Sequence, residues 1–198
     1  MDLKKIGLLG GSFDPVHRAH IALAETALQH LKLDEVQLIP AADPWQRAPL
    51  NATASQRQEM LALATRHTPG LVVNPIELER GGKTYTIDTL ENLPRNAQYF
   101  WILGTDQLAN FCTWHRWEDI LLYVHLVVAK RPNSAFDAPA PLNYLLDQLK
   151  KPIIELPFDP IDVSATKIRE ALKLRQPVSD MLEPAVHQYI QQHNLYQS

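Results

Sequence analysis

Six short apolar runs, separated by segments with helical spacing, restrict this chain more than any other feature in it. The runs are Lys5 to Leu9, Val36 to Pro40, Leu71 to Val73, Tyr99 to Leu103, Leu126 to Ala129 and Ile153 to Leu156. Their near-continuous apolar character is that of strands buried on both faces. The segments between them predict helices from about His17 to Leu31, at Thr86 to Leu93, Trp117 to Tyr123, Leu142 to Leu149 and Ser164 to Leu174. Another carries Met60, Leu61 and Ala64 behind a Thr53/Gln56 capping box, and a last one starts near Pro184 with Val186, Tyr189 and Ile190. This alternation predicts an α/β fold: a doubly wound, mostly parallel sheet with helices on both faces and a C-terminal helical segment. Ligands of such sheets sit beyond the carboxyl ends of the strands, where the strand order switches.

The 198 residues are expected to form one domain over 1–198, with the C-terminal helical part beginning at about 160. A formal charge of −3 argues against a nucleic-acid binder, yet it leaves room for a small phosphorylated substrate held by a local basic cluster. The single cysteine, Cys112, excludes an internal disulfide and reads as a small buried apolar residue. Met1 to Lys5 runs straight into the first strand without a signal peptide, and no apolar run is long enough to span a membrane. A cytoplasmic location is the expectation, and the sequence admits a homo-oligomer. Prolines gather at 40–49, 132–141 and 157–160 and mark loops; the segment Ala41 to Ala52 is long for a strand–helix connection.

The first strand ends in Gly10-Gly11-Ser12-Phe13-Asp14-Pro15-Val16-His17-Arg18-Ala19-His20. A sharp turn is expected at the two glycines, whose N–H groups carry no side chain. The start of the next helix adds unpaired N–H groups and the positive end of its dipole, so phosphate suits this corner. His17 and His20 stand three apart, which puts them on one helical face. No Gly-Lys-Ser/Thr follows, so this is not a Walker loop, and the spacing does not fit the three-glycine dinucleotide pattern. A second helix entrance, Ser164-Ala165-Thr166-Lys167-Ile168-Arg169, offers a capping serine and further N–H groups.

These residues carry a resemblance. GGSFDPVHRAH resembles the signature of the nucleotidylyltransferase superfamily, and further pieces resemble its nicotinate-nucleotide adenylyltransferase family. They are TYTIDTL (Thr84 to Leu90), LGTDQL (Leu103 to Leu108), CTWHRWEDI (Cys112 to Ile120), HLVVAKRP (His125 to Pro132) and VSATKIREAL (Val163 to Leu172), in the family's order over nearly the whole chain. The resemblance implies a Rossmann-like sheet and transfer of the adenylyl group of ATP to nicotinate mononucleotide, with Mg²⁺, giving deamido-NAD and pyrophosphate. It implies catalytic roles for His17, His20 and Arg169. Gly10, Gly11, Ser12 and Phe13, with His17, His20, Ser164, Thr166 and Arg169, would bind ATP. Thr86, Ile87, Asp106, Trp114, His115 and Arg47 would hold the mononucleotide, with Trp114 stacked on the pyridine ring and backbone N–H groups near Ile87 and His115 receiving its carboxylate. No side chain is assigned to a metal.

Two departures stand out. Ala19 occupies a position that is usually glycine, and Pro44-Trp45-Gln46-Arg47 replaces the usual Pro-Pro-His followed by a basic residue. Arg47 keeps the charge in a planar fork that is not equivalent to lysine. The alternatives are the same chemistry on nicotinamide mononucleotide or another phosphate acceptor, and a non-catalytic nucleotide-binding regulator. Trp114 and the Thr-Tyr-Thr-Ile segment favour a pyridine ring over pantetheine.

Overall fold

The computed structural model describes residues 3–44, 50–131 and 136–197. Six described strands form one sheet: β1 (Lys4–Gly11), β2 (Glu35–Pro40), β3 (Leu71–Val73), β4 (Ala97–Gly104), β5 (Val124–Lys130) and β6 (Ile154–Pro157). Their spatial order is β3-β2-β1-β4-β5-β6 and every neighbouring pair runs parallel. The chain builds outward from β1 on one side, then returns to pair β4 on the other, so the switch in strand order lies between β1 and β4. The two-glycine end of β1 sits at that switch, paired Gly10 to Ile39 and Gly11 to Pro40.

Strand alternation explains why the runs are apolar throughout. Successive side chains point to opposite faces, so one strand must supply two cores. Leu9, Phe100, Ile102 and Val127 enter one core with Ile21, Ala24 and Ala27 of α1 (Arg18–His30) and Met60, Leu61 and Ala64 of α2 (Ala54–Thr65). Helices α8 (Ala165–Lys173) and α9 (Pro184–Gln192) add Ile168, Val186 and Ile190 to it. Ile6, Leu8, Trp101, Leu103, Leu126 and Val128 enter the other core. There they meet α4 (Thr86–Glu91), α6 (Trp117–Tyr123) and α7 (Ala140–Leu149) through Ile87, Leu90, Ile120, Leu121, Leu142 and Leu146. The C-terminal helices therefore cover one face of the sheet.

The capping box at the start of α2 forms as its sequence suggests: the Gln56 N–H donates to Thr53 Oγ1 at 3.3 Å and the Thr53 N–H to Gln56 Oε1 at 2.9 Å. Two helices of five residues, α3 (Ile76–Arg80) and α5 (Thr105–Ala109), and a 3₁₀ turn at Phe111–Thr113 have no counterpart in the sequence reading. One expectation is corrected. The turn is not made by Gly10 and Gly11, which remain in β1; the left-handed residue is Phe13, at φ 48°. The glycines are needed for close approach instead. A Cβ on Gly10 would lie 3.1 Å from the Trp101 ring, and one on Gly11 3.0 Å from the Phe13 ring.

Candidate active site

The segment after β1 brings the two histidines together. His17 is the N-cap of α1, in extended backbone, and His20 lies in the first turn. Their rings stack at 3.7 Å between centroids, and the edge of Phe13 meets His20 at 4.9 Å. The His17 N–H donates to His20 Nδ1 at 3.3 Å. In a neutral ring that leaves the His20 proton on Nε2. His17 is buried, which lowers its pKa from 6.5 to about 4 and keeps it neutral at pH 7. Its Nδ1 is enclosed and has no partner among the described residues. Ala19 is half-buried in the same first turn.

Helix α8 arrives at the same corner. Ser164 Oγ accepts the Lys167 N–H at 3.2 Å and caps the helix. Arg169 Nη1 donates to the Asp14 carbonyl at 2.7 Å, and Nη2 to Thr166 Oγ1 at 3.3 Å. Two helix N-termini, two imidazoles and a guanidinium thus share one corner beyond the end of β1, which suits an anion.

Next to it, across the same strand end, lies a cavity of about 140 Å³. Gly10, Gly11 and Ser12 line it together with Trp114, Thr86, Glu77 and Thr84. Trp114 is half-buried, tilted against Phe111 at 5.1 Å and edge-on to Trp101 at 6.4 Å. Its indole is held by rings at its back, as a stacking platform requires. The Ile87 side chain is wholly buried in the core, so only its backbone could meet a ligand. His115 is exposed, its ring 4.6 Å from that of Tyr85. Asp106 is exposed in the first turn of α5, at the carboxyl end of β4, and does not line the cavity. Arg47 and Gln46 lie outside the described residues.

Sequence reasoning passed over Glu77 and Arg57 here, and had Thr84 only as the first residue of the TYTIDTL piece. Thr84 Oγ1 accepts the N–H groups of Ala42 and Asp43, at 3.0 and 3.2 Å, and so fastens the entry of the 41–52 loop. Glu77 is buried, accepts the Thr89 hydroxyl at 2.6 Å, and has its pKa raised from 4.5 to about 7, chiefly by burial. Arg57, wholly buried, donates Nη1 to the Ser12 carbonyl at 2.8 Å. Its position was legible: 57, 60, 61 and 64 share a helical face, and the other three are apolar.

A larger cavity of about 460 Å³ lies beside α1, the end of α2 and the start of α9, lined by Arg18, Arg66, Glu25 and Glu183. It holds none of the candidate catalytic or binding residues, and its charges are mixed; the strand-end cavity is the one with converging chemistry. No group of three or more histidine, cysteine, aspartate or glutamate side chains placed to hold a metal occurs among the described residues. No described helix is long and apolar enough to cross a membrane.

Comparison with known proteins adds a second line. The cytidylyltransferase-like family model matches residues 8–171. The chain is 54% identical over 194 residues to a probable nicotinate-nucleotide adenylyltransferase of Bordetella avium, covering 98% of each chain. It is 43% identical to the protein of that name in Laribacter hongkongensis, over 98% of this chain and 94% of that one. Among solved structures, it resembles Plasmodium falciparum nicotinic acid mononucleotide adenylyltransferase complexed with NaAD, with a TM-score of 0.76 at 19% identity, covering 98% of this chain and 97% of that one. At that identity the likeness is one of fold.

Proposed function

The chain belongs to the cytidylyltransferase-like family and, within it, to the nicotinate-nucleotide adenylyltransferases; from that premise we infer that it transfers the adenylyl group of ATP to nicotinate mononucleotide, giving deamido-NAD and pyrophosphate. The observation that carries this reading is the shared wall of the site. Gly10 to Ser12 border both the histidine corner and the ring-sized cavity beneath Trp114. A triphosphate in the corner and a pyridine in the cavity would bring the mononucleotide phosphate to the α-phosphorus. The relatives' name favours the acid acceptor, and neither the amide, another phosphate acceptor nor a non-catalytic role has an observation of its own.

In the reaction an oxygen of the mononucleotide phosphate attacks the α-phosphorus of ATP, and the bond to the bridging oxygen breaks as pyrophosphate leaves. Little covalent chemistry falls to the protein, so alignment and charge stabilisation make the rate. His20 donates its Nε2–H to the oxygens that gain charge. Arg169 and the first-turn N–H groups of α1 and α8 hold the β- and γ-phosphates, where a leaving pyrophosphate is most negative. A buried nitrogen without a partner costs about 1–3 kcal/mol; a ligand that bonds His17 Nδ1 returns that cost. Trp114 stacks on the pyridine, and the backbone at Thr86, Ile87 and His115 receives its carboxylate. Backbone donors are charge-neutral, so they answer a carboxylate without a cation beside an electron-poor ring. Asp106, exposed in the first turn of α5, and Arg47 are assigned to this half from the sequence pattern. Mg²⁺ would accompany ATP and offset its phosphate charge, since no cluster of described side chains is placed to hold it. One domain, 1–198 with its helical part from about 160, does this work in the cytoplasm.

The test is pyrophosphate release from ATP and Mg²⁺, with nicotinate and nicotinamide mononucleotides assayed side by side. A strong preference for the acid is expected. Equal use would refute the carboxylate pocket, and silence with both would refute the reaction itself.

A further inference from the structure

The histidine corner is held from behind by a residue far away in sequence. Tyr196 is buried, with its ring in the core that α1, α2, α8 and α9 share. Its hydroxyl donates to Asp14 Oδ1 at 2.8 Å. Asp14 is itself only 2% exposed. Its carboxylate also accepts the Asn51 N–H at 2.7 Å and the Ala52 N–H at 3.0 Å, while its main-chain carbonyl accepts Arg169. Arg57 secures the neighbouring Ser12 carbonyl. One carboxylate therefore ties the segment before His17 to the end of the 41–52 loop and to the C-terminal helical part. Burial and the Asp14 carboxylate both push the phenol pKa up, so the hydroxyl keeps its proton and donates.

We propose that Tyr196 is a positioning residue for adenylyl transfer: its hydroxyl fixes Asp14, and Asp14 fixes both the main chain leading to His17 and the guanidinium of Arg169. The proposal rests on the reading that His17, His20 and Arg169 hold the triphosphate. The ring and the hydroxyl of Tyr196 divide the work. The ring packs in the core and contributes stability; the hydroxyl acts on a group that carries the phosphate-facing arginine. Without it, Asp14 Oδ1 keeps only the Ala52 N–H, and the carbonyl that docks Arg169 sits on the same loosened residue. Linkage is reciprocal, so ATP must in turn tighten residues 194–197.

The experiment compares wild type with Tyr196→Phe and Leu195→Ala. Leu195 packs against the same core but makes no contact with Asp14 through a polar atom, so its truncation loosens the tail while leaving the hydroxyl. Tyr196→Phe is expected to lower kcat/KM for ATP about tenfold, the size of a lost hydrogen bond to a charged group, with KM for the mononucleotide unchanged. Leu195→Ala is expected to lower Tm with kcat/KM for ATP preserved. The proposal is overturned if Tyr196→Phe matches wild type, or if both variants lose activity in proportion to stability. A wild type that releases no pyrophosphate overturns the adenylyltransferase reading instead, which separates the two failures. Should Tyr196→Phe not fold, hydrogen exchange on the wild type decides: a non-hydrolysable ATP analogue must slow the amides of 194–197 about tenfold, and unchanged exchange overturns the proposal.

Discussion

Glu77→Gln should make this protein more stable at neutral and alkaline pH, and leave it unchanged in acid. Glu77 lines the Trp114 cavity and is 3% exposed. Burial raises its pKa from 4.5 to about 7, against the downward pull of the Thr89 hydroxyl, Arg80, the Thr84 hydroxyl and Arg57. The folded state thus holds the proton more tightly than the unfolded chain does. The stability this confers is complete below pH 4.5 and is lost as pH rises to about 7. At about 1.4 kcal/mol per pH unit, that interval is worth about 3 kcal/mol. Glutamine keeps the shape and an acceptor for Thr89 but cannot ionise. Above pH 7 the variant should therefore exceed wild type by about 3 kcal/mol, or about 6–12 °C in Tm for a chain of this size. His17 titrates in the opposite sense: its pKa is lowered to about 4, so its contribution is lost as pH falls from 6.5. Comparing the two proteins at each pH cancels that effect. Urea midpoints at pH 4.5, 6 and 8 are the assay. Parallel curves for the two proteins across this range would refute the reasoning.

Other outcomes follow from the same geometry. His20→Ala should reduce kcat about 10²–10³-fold, as loss of a transition-state donor does, while calorimetry finds ATP affinity largely retained; an equal loss in affinity would assign His20 to ground-state binding. Trp114→Ala should raise KM for nicotinate mononucleotide at least about tenfold and leave KM for ATP alone, which steady-state kinetics with each substrate varied will separate. Thr53→Ala removes one half of the capping box of α2 and should cost about 1 kcal/mol in urea unfolding, with kcat unaffected.

The strands and long helices were legible because burial on both faces leaves no polar side chain in Ile6 to Leu9, where Gly7 is the one position without a side chain, and apolar side chains throughout Tyr99 to Leu103, and burial on one face demands helical spacing in α1 and α2. Helices α3 and α5 were not, since five residues make too little of a turn to display a period. The spacing of His17 and His20 brings their rings together as expected, but His17 reaches its partner from the extended N-cap and not from a helical face. The conformation of the turn did not follow from its composition: glycine is the usual owner of a positive φ, yet here Phe13 takes it, with its ring laid over Gly11 where a Cβ would stand. Glu77, among charged neighbours in Ile-Glu-Leu-Glu-Arg, reads as a solvated helix face, and nothing local distinguishes it from exposed Glu79. The bond between Tyr196 and Asp14 joins segments that only the completed sheet and its covering helices bring together, so no window of sequence contains it.

The pairing of β1 with β4 has a kinetic consequence. It sets Lys4 beside Ala97, whereas β1 meets β2 after a single helix. Closing the longer loop costs more chain entropy, and sheets dominated by such contacts form slowly. The two halves of the sheet can each gather locally, but the seam between them must wait for both. Gly10 and Gly11 line one side of that seam and Trp101 the other, so a molecule lodged there touches contacts that form late. Its binding should slow unfolding while scarcely hastening refolding, and the enzyme loaded with substrate would outlast the empty one under heat or protease by virtue of its lifetime.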